Sequence, residues 1–472
     1  MSAGRRKLPG DLSTIKEFQQ HEHFLKTMKN NVEILAFSED RISGLKAAIK
    51  SAAEDIARGT RASVPGKKTR SEFDSGASYR LLAAAQDEAE FTGLLDSAIS
   101  FLENPDRENL QAPQGIFFGK HAPEGGLGFV FPGQGSQYPY MGFGLEHVFK
   151  EAKGIIEIAE QAFSRNPSLI SRVHPRADVR AKPSNEETTA LQQTDVAQPA
   201  IGTLSLIMLS ILEKHGIYAD AACGHSFGEL TALCAAERIS RRDFMRLAVE
   251  RGRLMAEAGK KSGESGGMLA VKASAETIEQ VIEKNRIDVV LANKNSQKQG
   301  VVSGPLDEIE KMQKICKKNR IISARLPVSA AFHSRLVKGA AEPFKKTIMA
   351  THFSPGRIPV YSNTTALPYP DDTREARLLL GRHLAEPVNF MDEITNMHQA
   401  GVRTFIETGP KAVLTGLVKN ILSGLPHEAF SVDSSGGKRP AVFDIALALC
   451  KTAALGYNTD LSNWPRGDNS EF

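Results

Sequence analysis

The sequence lacks the features that would set it apart from ordinary globular proteins. Only four cysteines, Cys223, Cys234, Cys316 and Cys450, occur in 472 residues. None falls in a CxxC or other metal-ligand spacing. That excludes a disulfide scaffold and a cysteine-based metal site, and free thiols in a reducing cytosol are expected. Long apolar runs are also missing. The longest, Ile201–Leu212, is interrupted by serines and falls short of the ~20 residues a membrane span needs. The N-terminus is polar and basic with no apolar stretch behind it, so no signal peptide is expected. Nor is there a marked excess of one charge. Lys and Arg number 59 against 55 Asp and Glu, a net +4, too little to argue for nucleic-acid binding. Together these absences predict a cytoplasmic protein whose partners include neither membrane nor nucleic acid.

What is present is the balance of a folded chain, 41% hydrophobic and 24% charged. At ~100–200 residues per domain the length suggests two to four units. Residues 1–125 read as one of them. Val32–Phe37 is a strand, Ser38 can cap a helix carrying Ile42, Leu45 and Ile49 on one face, and the polar stretch Gly59–Ala77 reads as a solvated loop. Tyr79–Ala85 and Asp87–Leu102 then repeat the strand–helix pair. From Leu127 strands and helices alternate: a strand at Gly128–Phe131, a helix following Pro199, a strand ending at Cys223 and a helix from Gly228. This alternation argues for a mostly parallel sheet. Residues 266–328 carry the order β-α-β-β-α-β of a ferredoxin-like unit, inserted into the larger domain. The polar tail after Asn458 reads as loop or partly disordered.

Gly224-His225-Ser226-Phe227-Gly228 is a GxSxG pattern between a strand and a helix, the setting of a nucleophile elbow. The backbone N–H of Phe227 and the helix N-terminus can face a developing oxyanion. A serine of this kind needs a base. Of twelve histidines, His333 is best placed, because it follows the last strand of the inserted unit, where the chain returns to the larger domain.

Six segments, in order, resemble the malonyl-CoA:acyl carrier protein acyltransferases. They are Phe129-Val130-Phe131-Pro132-Gly133-Gln134-Gly135-Ser136-Gln137, Gln198-Pro199-Ala200, Gly224-His225-Ser226-Phe227-Gly228-Glu229, Arg251-Gly252-Arg253-Leu254-Met255, Ala331-Phe332-His333-Ser334 and Glu407-Thr408-Gly409-Pro410. Thr194–Ala200, Leu291–Ser296 and Pro327–Ser334 most resemble the iterative polyketide, polyunsaturated fatty acid and enediyne type. Two positions depart from the pattern: Gln297 replaces a usual proline, and His383 a commoner Gln or Asn. The resemblance implies an α/β fold in four parts. An α/β-hydrolase-like large subdomain (126–262 and 329–435) carries an inserted ferredoxin-like subdomain (263–328). A small α/β linker domain of the ketosynthase-to-acyltransferase kind (1–125) precedes it, and a post-acyltransferase segment (436–472) follows.

It also implies roles. Ser226 would be the nucleophile and His333 the general base, with Gln134 and Phe227 N–H groups as the oxyanion hole. Arg251, Gln198, His225 and Phe332 would bind the acyl group, and the backbone carbonyl of His383 would orient the base. No metal and no bound cofactor are implied. Malonyl-CoA is the expected substrate and the phosphopantetheine arm of an acyl carrier protein the acceptor, with a ketosynthase as a further partner through the linker domain. The alternative is a serine hydrolase (thioesterase or esterase) of the same elbow type; Asp288 and several glutamates lie between Ser226 and His333, so chain order does not exclude it. The sequence shows no ketosynthase-like cysteine motif and no carrier-type Asp-Ser-Leu site. It therefore reads as a domain cut from a larger synthase or as an enzyme acting in trans.

Overall fold

The computed structural model describes residues 32–104, 112, 114–176, 183–261, 266–326, 331–334 and 338–465. In the N-terminal unit, β1 (Glu33–Glu39), β2 (Tyr79–Ala85) and β3 (Ile116–Lys120) form an antiparallel sheet in that order. Its helices are α1 (Ile42–Ala57), α2 (Ser63–Glu72) and α3 (Glu88–Glu103). Successive side chains of a strand point to opposite faces. Leu35, Phe37 and Leu81 pack against Leu45 and Ile49 of α1 and Leu95 of α3. Ile34, Ala36, Leu82 and Ala84 face the other way and join the main core. Both faces are covered, which is why these strands are apolar throughout.

Several expectations for the ends of the chain are corrected. The stretch read as a loop contains α2: Pro65 sits in the first turn, where its missing N–H costs nothing, and Arg70 is buried in an ion pair with Glu33 while donating to the Ile34 carbonyl at 2.9 Å. That anchor lies in the tertiary fold, beyond what a polar pattern can reveal. Ser38 does not cap α1; it accepts the N–H of Asp74 instead. The residues after Asn458 are not simply a loose tail. Leu461–Asn463 form a 3-10 turn, and the buried Trp464 donates to the Val32 carbonyl at 3.0 Å. The helix Ala441–Ala454 ends against β2, where Arg80 donates to the Ala454 carbonyl at 3.1 Å. The first and last described segments are thus packed together. Residues 466–472 lie outside the described residues.

The large subdomain is built on a parallel sheet. In chain order the elements that position the site include β4 (Gly126–Phe131), α4 (Thr194–Lys214), β5 (Ala221–Gly224), α5 (Gly228–Ala235) and α6 (Arg241–Lys261). The chain then leaves for β6 (Gly266–Val271), α7 (Ala275–Asn285), β7 (Val290–Ser296), β8 (Gln299–Pro305), α8 (Leu306–Lys318) and β9 (Ser323–Arg325). It returns to add β10 (Val402–Glu407), α9 (Val413–Ile421) and β11 (Glu428–Ser431). The main sheet runs β11-β10-β4-β5, all parallel, and a bridge from Ala222 to Val360 extends it by one position. The inserted sheet runs β7-β8-β6-β9, all antiparallel, which is the ferredoxin-like order. The last strand of that unit was expected to reach Val328. β9 closes at Arg325, and residues 327–330 lie outside the described set.

Helix α4 begins at Thr194, five residues before Pro199, and not after it. Proline inside a helix forfeits the bond from its own nitrogen to residue i−4. α4 tolerates that loss because it is buried on nearly every side, the mark of a core helix. Among the described residues it is also the helix long and apolar enough to suit a membrane span, and here that length lies inside the fold.

Candidate active site

β5 ends at Gly224 and α5 starts at Gly228, so the reversal is made in three residues. Two glycines make it possible. A Cβ on Gly224 would stand 2.0 Å from the Gly228 carbonyl carbon, and one on Gly228 would stand 1.9 Å from the Phe131 carbonyl oxygen. Between them Ser226 adopts a left-handed φ of 50°. Its Oγ donates to Nε2 of His333 at 2.8 Å. His333 also has a left-handed φ, 56°, and its Nδ1–H donates to the Glu386 carbonyl at 3.0 Å. With Nδ1 donating, the neutral ring offers Nε2 as acceptor, the tautomer a base needs. Burial holds the ring neutral: the pKa of His333 is pushed down to about 3, with the charge of Arg251 and then His225 adding to the effect.

Two main-chain carbonyls act on His333: that of Glu386, which accepts Nδ1–H, and that of His383, three residues earlier, which the resemblance implied. The His383 side chain also turns to Ser226, its Nε2–H reaching the Ser226 carbonyl at 3.0 Å.

Arg251 rises from α6, 1% exposed, and its guanidinium donates to Ser226 Oγ at 3.3 Å while lying over the Phe227 ring. Burial lowers its pKa to about 9, and the opposing charge is Glu229. Glu229 is fully buried, accepts the Tyr369 hydroxyl, and is itself pushed up to about 7 by burial. Gln198, on α4, is buried with Nε2 3.5 Å from Met255 Sδ of α6 and Oε1 unpartnered among the described residues. Phe332 is buried in the main core next to the base.

The Pro132–Gln137 loop lies against the elbow, close enough that a Cβ on Gly133 would meet the His225 carbonyl at 2.4 Å. The Gln134 side chain is engaged with the Gln192 carbonyl and Thr194 Oγ1, at 3.4 and 3.3 Å. Among the described residues the backbone N–H groups of Gln134 and Phe227 have no protein acceptor. Lys411 holds this loop from outside, donating to the carbonyls of Gly135 and Gln137 at 3.3 and 3.2 Å. His225 donates to Asn295 Oδ1 of β7 at 2.8 Å, so its ring bridges the elbow and the inserted sheet.

Sequence reasoning missed several residues. Asn363 accepts the Ser226 N–H at 2.7 Å and donates to the Gly224 carbonyl and to Glu393. The signal available was a polar Ser362-Asn363-Thr364 directly after apolar Val360-Tyr361, at the C-terminal end of a segment paired with β5, where sites on open α/β sheets form. The Glu407 segment has a structural task. Its carboxylate caps α9, accepting from the N–H groups of Leu414 and Thr415 at 3.0 and 2.7 Å. Gln297, the replacement for proline, donates to the Ile421 carbonyl at the other end of that helix.

A serine on a strand–helix elbow, a neutral histidine at its hydroxyl and unpartnered N–H groups beside it define an enzyme of covalent acyl transfer. Residues 128–433 match the family model of the acyl transferase domain, and the chain belongs to that family. It is 35% identical over 299 residues to the malonyl CoA-acyl carrier protein transacylase of Bacillus subtilis (strain 168), covering 62% of this chain and 90% of that one. It is 34% identical over 319 residues to polyketide biosynthesis protein PksE of the same organism, 66% of this chain but 38% of that longer protein. The fold matches the crystal structure of the acyltransferase domain from module 8 of the salinomycin polyketide synthase, with a TM-score of 0.75 and 22% identity over 91% of this chain and 97% of that one.

Proposed function

We propose that the enzyme moves a malonyl group from CoA to Ser226 and on to the phosphopantetheine thiol of an acyl carrier protein, supplying extender units to a polyketide or fatty acid synthase. The observation that carries this reading is the buried guanidinium of Arg251, 3.3 Å from the nucleophile. A plain hydrolase has no use for a buried charge there. A planar guanidinium pairs with a carboxylate through two parallel bonds, and malonyl is an acyl group that ends in one.

In the first half-reaction Ser226 Oγ attacks the thioester carbonyl and passes its proton to His333 Nε2. The oxyanion is received by the N–H groups of Gln134 and Phe227. Collapse breaks the C–S bond, and the CoA sulfur leaves with the proton from His333. In the second, the carrier thiol gives its proton to His333, attacks the serine ester, and the proton returns to Ser226. The substrate assists its own transfer. Arg251 is a cause of the lowered basicity of His333, so a malonyl carboxylate that neutralises the guanidinium makes His333 a better base. Gln198, with its free buried oxygen, and Phe332 shape the acyl pocket. The N-terminal sheet serves as the linker through which a ketosynthase docks.

Intact-protein mass spectrometry after mixing with malonyl-CoA tests this. The reading expects one stable malonyl adduct on the wild type, none on Ser226→Ala, and discharge when a carrier is added. Rapid CoA release with no adduct would make the enzyme a hydrolase, and no reaction would leave only a bridging module.

A further inference from the structure

A serine at a left-handed φ needs surroundings that impose that conformation. At the elbow the local bonds are those of any helix start: Gly228 N–H to the His225 carbonyl at 3.0 Å and Glu229 N–H to the Ser226 carbonyl at 3.1 Å. Two further bonds come from far away in the chain. The Ser226 N–H is taken by Asn363 Oδ1, 137 residues on, and the Ser226 carbonyl by His383 Nε2, 157 residues on, at 2.7 and 3.0 Å. The nucleophile's own residue is thus gripped at both ends by side chains from outside the elbow.

Each grip is backed by a buried acid. Asn363 donates to Glu393 Oε1 at 2.9 Å, and His383 Nε2 lies 3.5 Å from Glu229 Oε2, with no solvent reaching either side chain of that pair. The His383 ring also stands edge-on to the base, centroids 5.8 Å apart. His383 therefore touches the frame of both reacting residues while contacting neither reacting atom.

We propose that Asn363 and His383 are positioning residues, a two-point clamp that fixes the nucleophile's residue in its left-handed turn and so sets the direction of Ser226 Oγ toward His333. His383 does this through its side chain, by donating from Nε2 to the Ser226 carbonyl. Any side chain that places an N–H at that point can serve. The proposal rests on Ser226 being the nucleophile but not on the identity of the acyl group.

The test is the rate at which a fluorophosphonate probe reacts with Ser226, compared across His383→Leu, His383→Gln and His383→Met. In that reaction Oγ bonds to phosphorus and fluoride leaves, so neither malonyl recognition nor CoA binding is needed. His383→Leu is expected to slow phosphonylation about 10- to 100-fold, the usual effect of misplacing a reacting group. Malonyl loading should fall by the same factor in kcat, with KM for malonyl-CoA within about twofold. His383→Gln should regain most of the rate. A folded Leu variant that reacts at the wild-type rate, or a Gln variant no faster than Leu, would overturn the clamp. Should the Leu variant not fold, the Gln and Met variants decide. Met matches Gln in length but offers no N–H, so equal rates for the two would count against the proposal and a fast Gln with a slow Met would support it.

Discussion

The two residues proposed as nucleophile and base, Ser226 and His333, are placed in opposite ways. Ser226 is delivered by a continuous piece of chain, β5, a three-residue turn and α5. Local sterics make that turn, and its two glycines are spaced for it. His333 sits in no helix or strand, and the carbonyl that fixes its tautomer belongs to Glu386, 53 residues away. The Glu386 loop in turn adds an edge to the inserted sheet: the Val388 N–H donates to the Ala292 carbonyl and the Lys294 N–H to the Val388 carbonyl, each at 2.8 Å. The nucleophile is therefore held by its own neighbours and then clamped, whereas the base depends on a loop tied to the inserted subdomain.

The largest effect that breaks the comparison is removal of the base. His333→Ala should slow malonyl loading by roughly 10²–10⁴-fold, the usual worth of a general base, and single-turnover CoA release measures it. The same assay sharpens the point through pH. Because His333 is depressed to about 3, it stays neutral as pH falls below the ordinary histidine range, so His333 should contribute no loss of loading near pH 6.5. A His333-dependent acid limb there would mean that the base is far more open to water than its burial allows.

A smaller effect concerns the acyl pocket. If Phe332 lines the acyl pocket, its benzyl group would fill the space a C2 methyl needs, and overpacking costs ~1–3 kcal/mol. Phe332 should therefore give at least about a tenfold preference in kcat/KM for malonyl-CoA over methylmalonyl-CoA, and Phe332→Ser should narrow it. Comparable values for the two substrates in the wild type would remove Phe332 from substrate selection.

How much of this was legible in the sequence follows the same division. The elbow, its flanking strand and helix and the inserted β-α-β-β-α-β order could be read because spacing and periodicity express local sterics. α2 and the Trp464 anchor could not, because a buried Arg70–Glu33 pair and a contact from residue 464 to residue 32 leave no local pattern. At the site, Ser226 and His333 were singled out from their place along the chain. Asn363 and Glu386 were not. A side-chain amide and a main-chain carbonyl acting across more than 50 residues carry no signature of their own.

The smallest effect tests the outer surface of the inserted unit. The last turn of α8 carries Lys317 and Lys318, and acyl carrier proteins are typically acidic, so complementary charge should speed encounter. Lys317→Glu with Lys318→Glu should leave self-malonylation from CoA nearly unchanged, slow transfer to the carrier, and weaken its salt dependence. Carrier transfer equal to wild type at low salt would place docking elsewhere.

Arg251 is the residue that separates malonyl transfer from generic acyl chemistry. The direct measurement is loading of Arg251→Ala with malonyl-CoA and with acetyl-CoA, read as adduct formed per active site against time. Malonyl loading should fall by a few kcal/mol in kcat/KM, since a charge-assisted pair in a dry pocket is lost. Acetyl loading, which has no carboxylate to pair, should hold or rise. Equal losses for both acyl groups would make Arg251 a structural residue and contradict the reading.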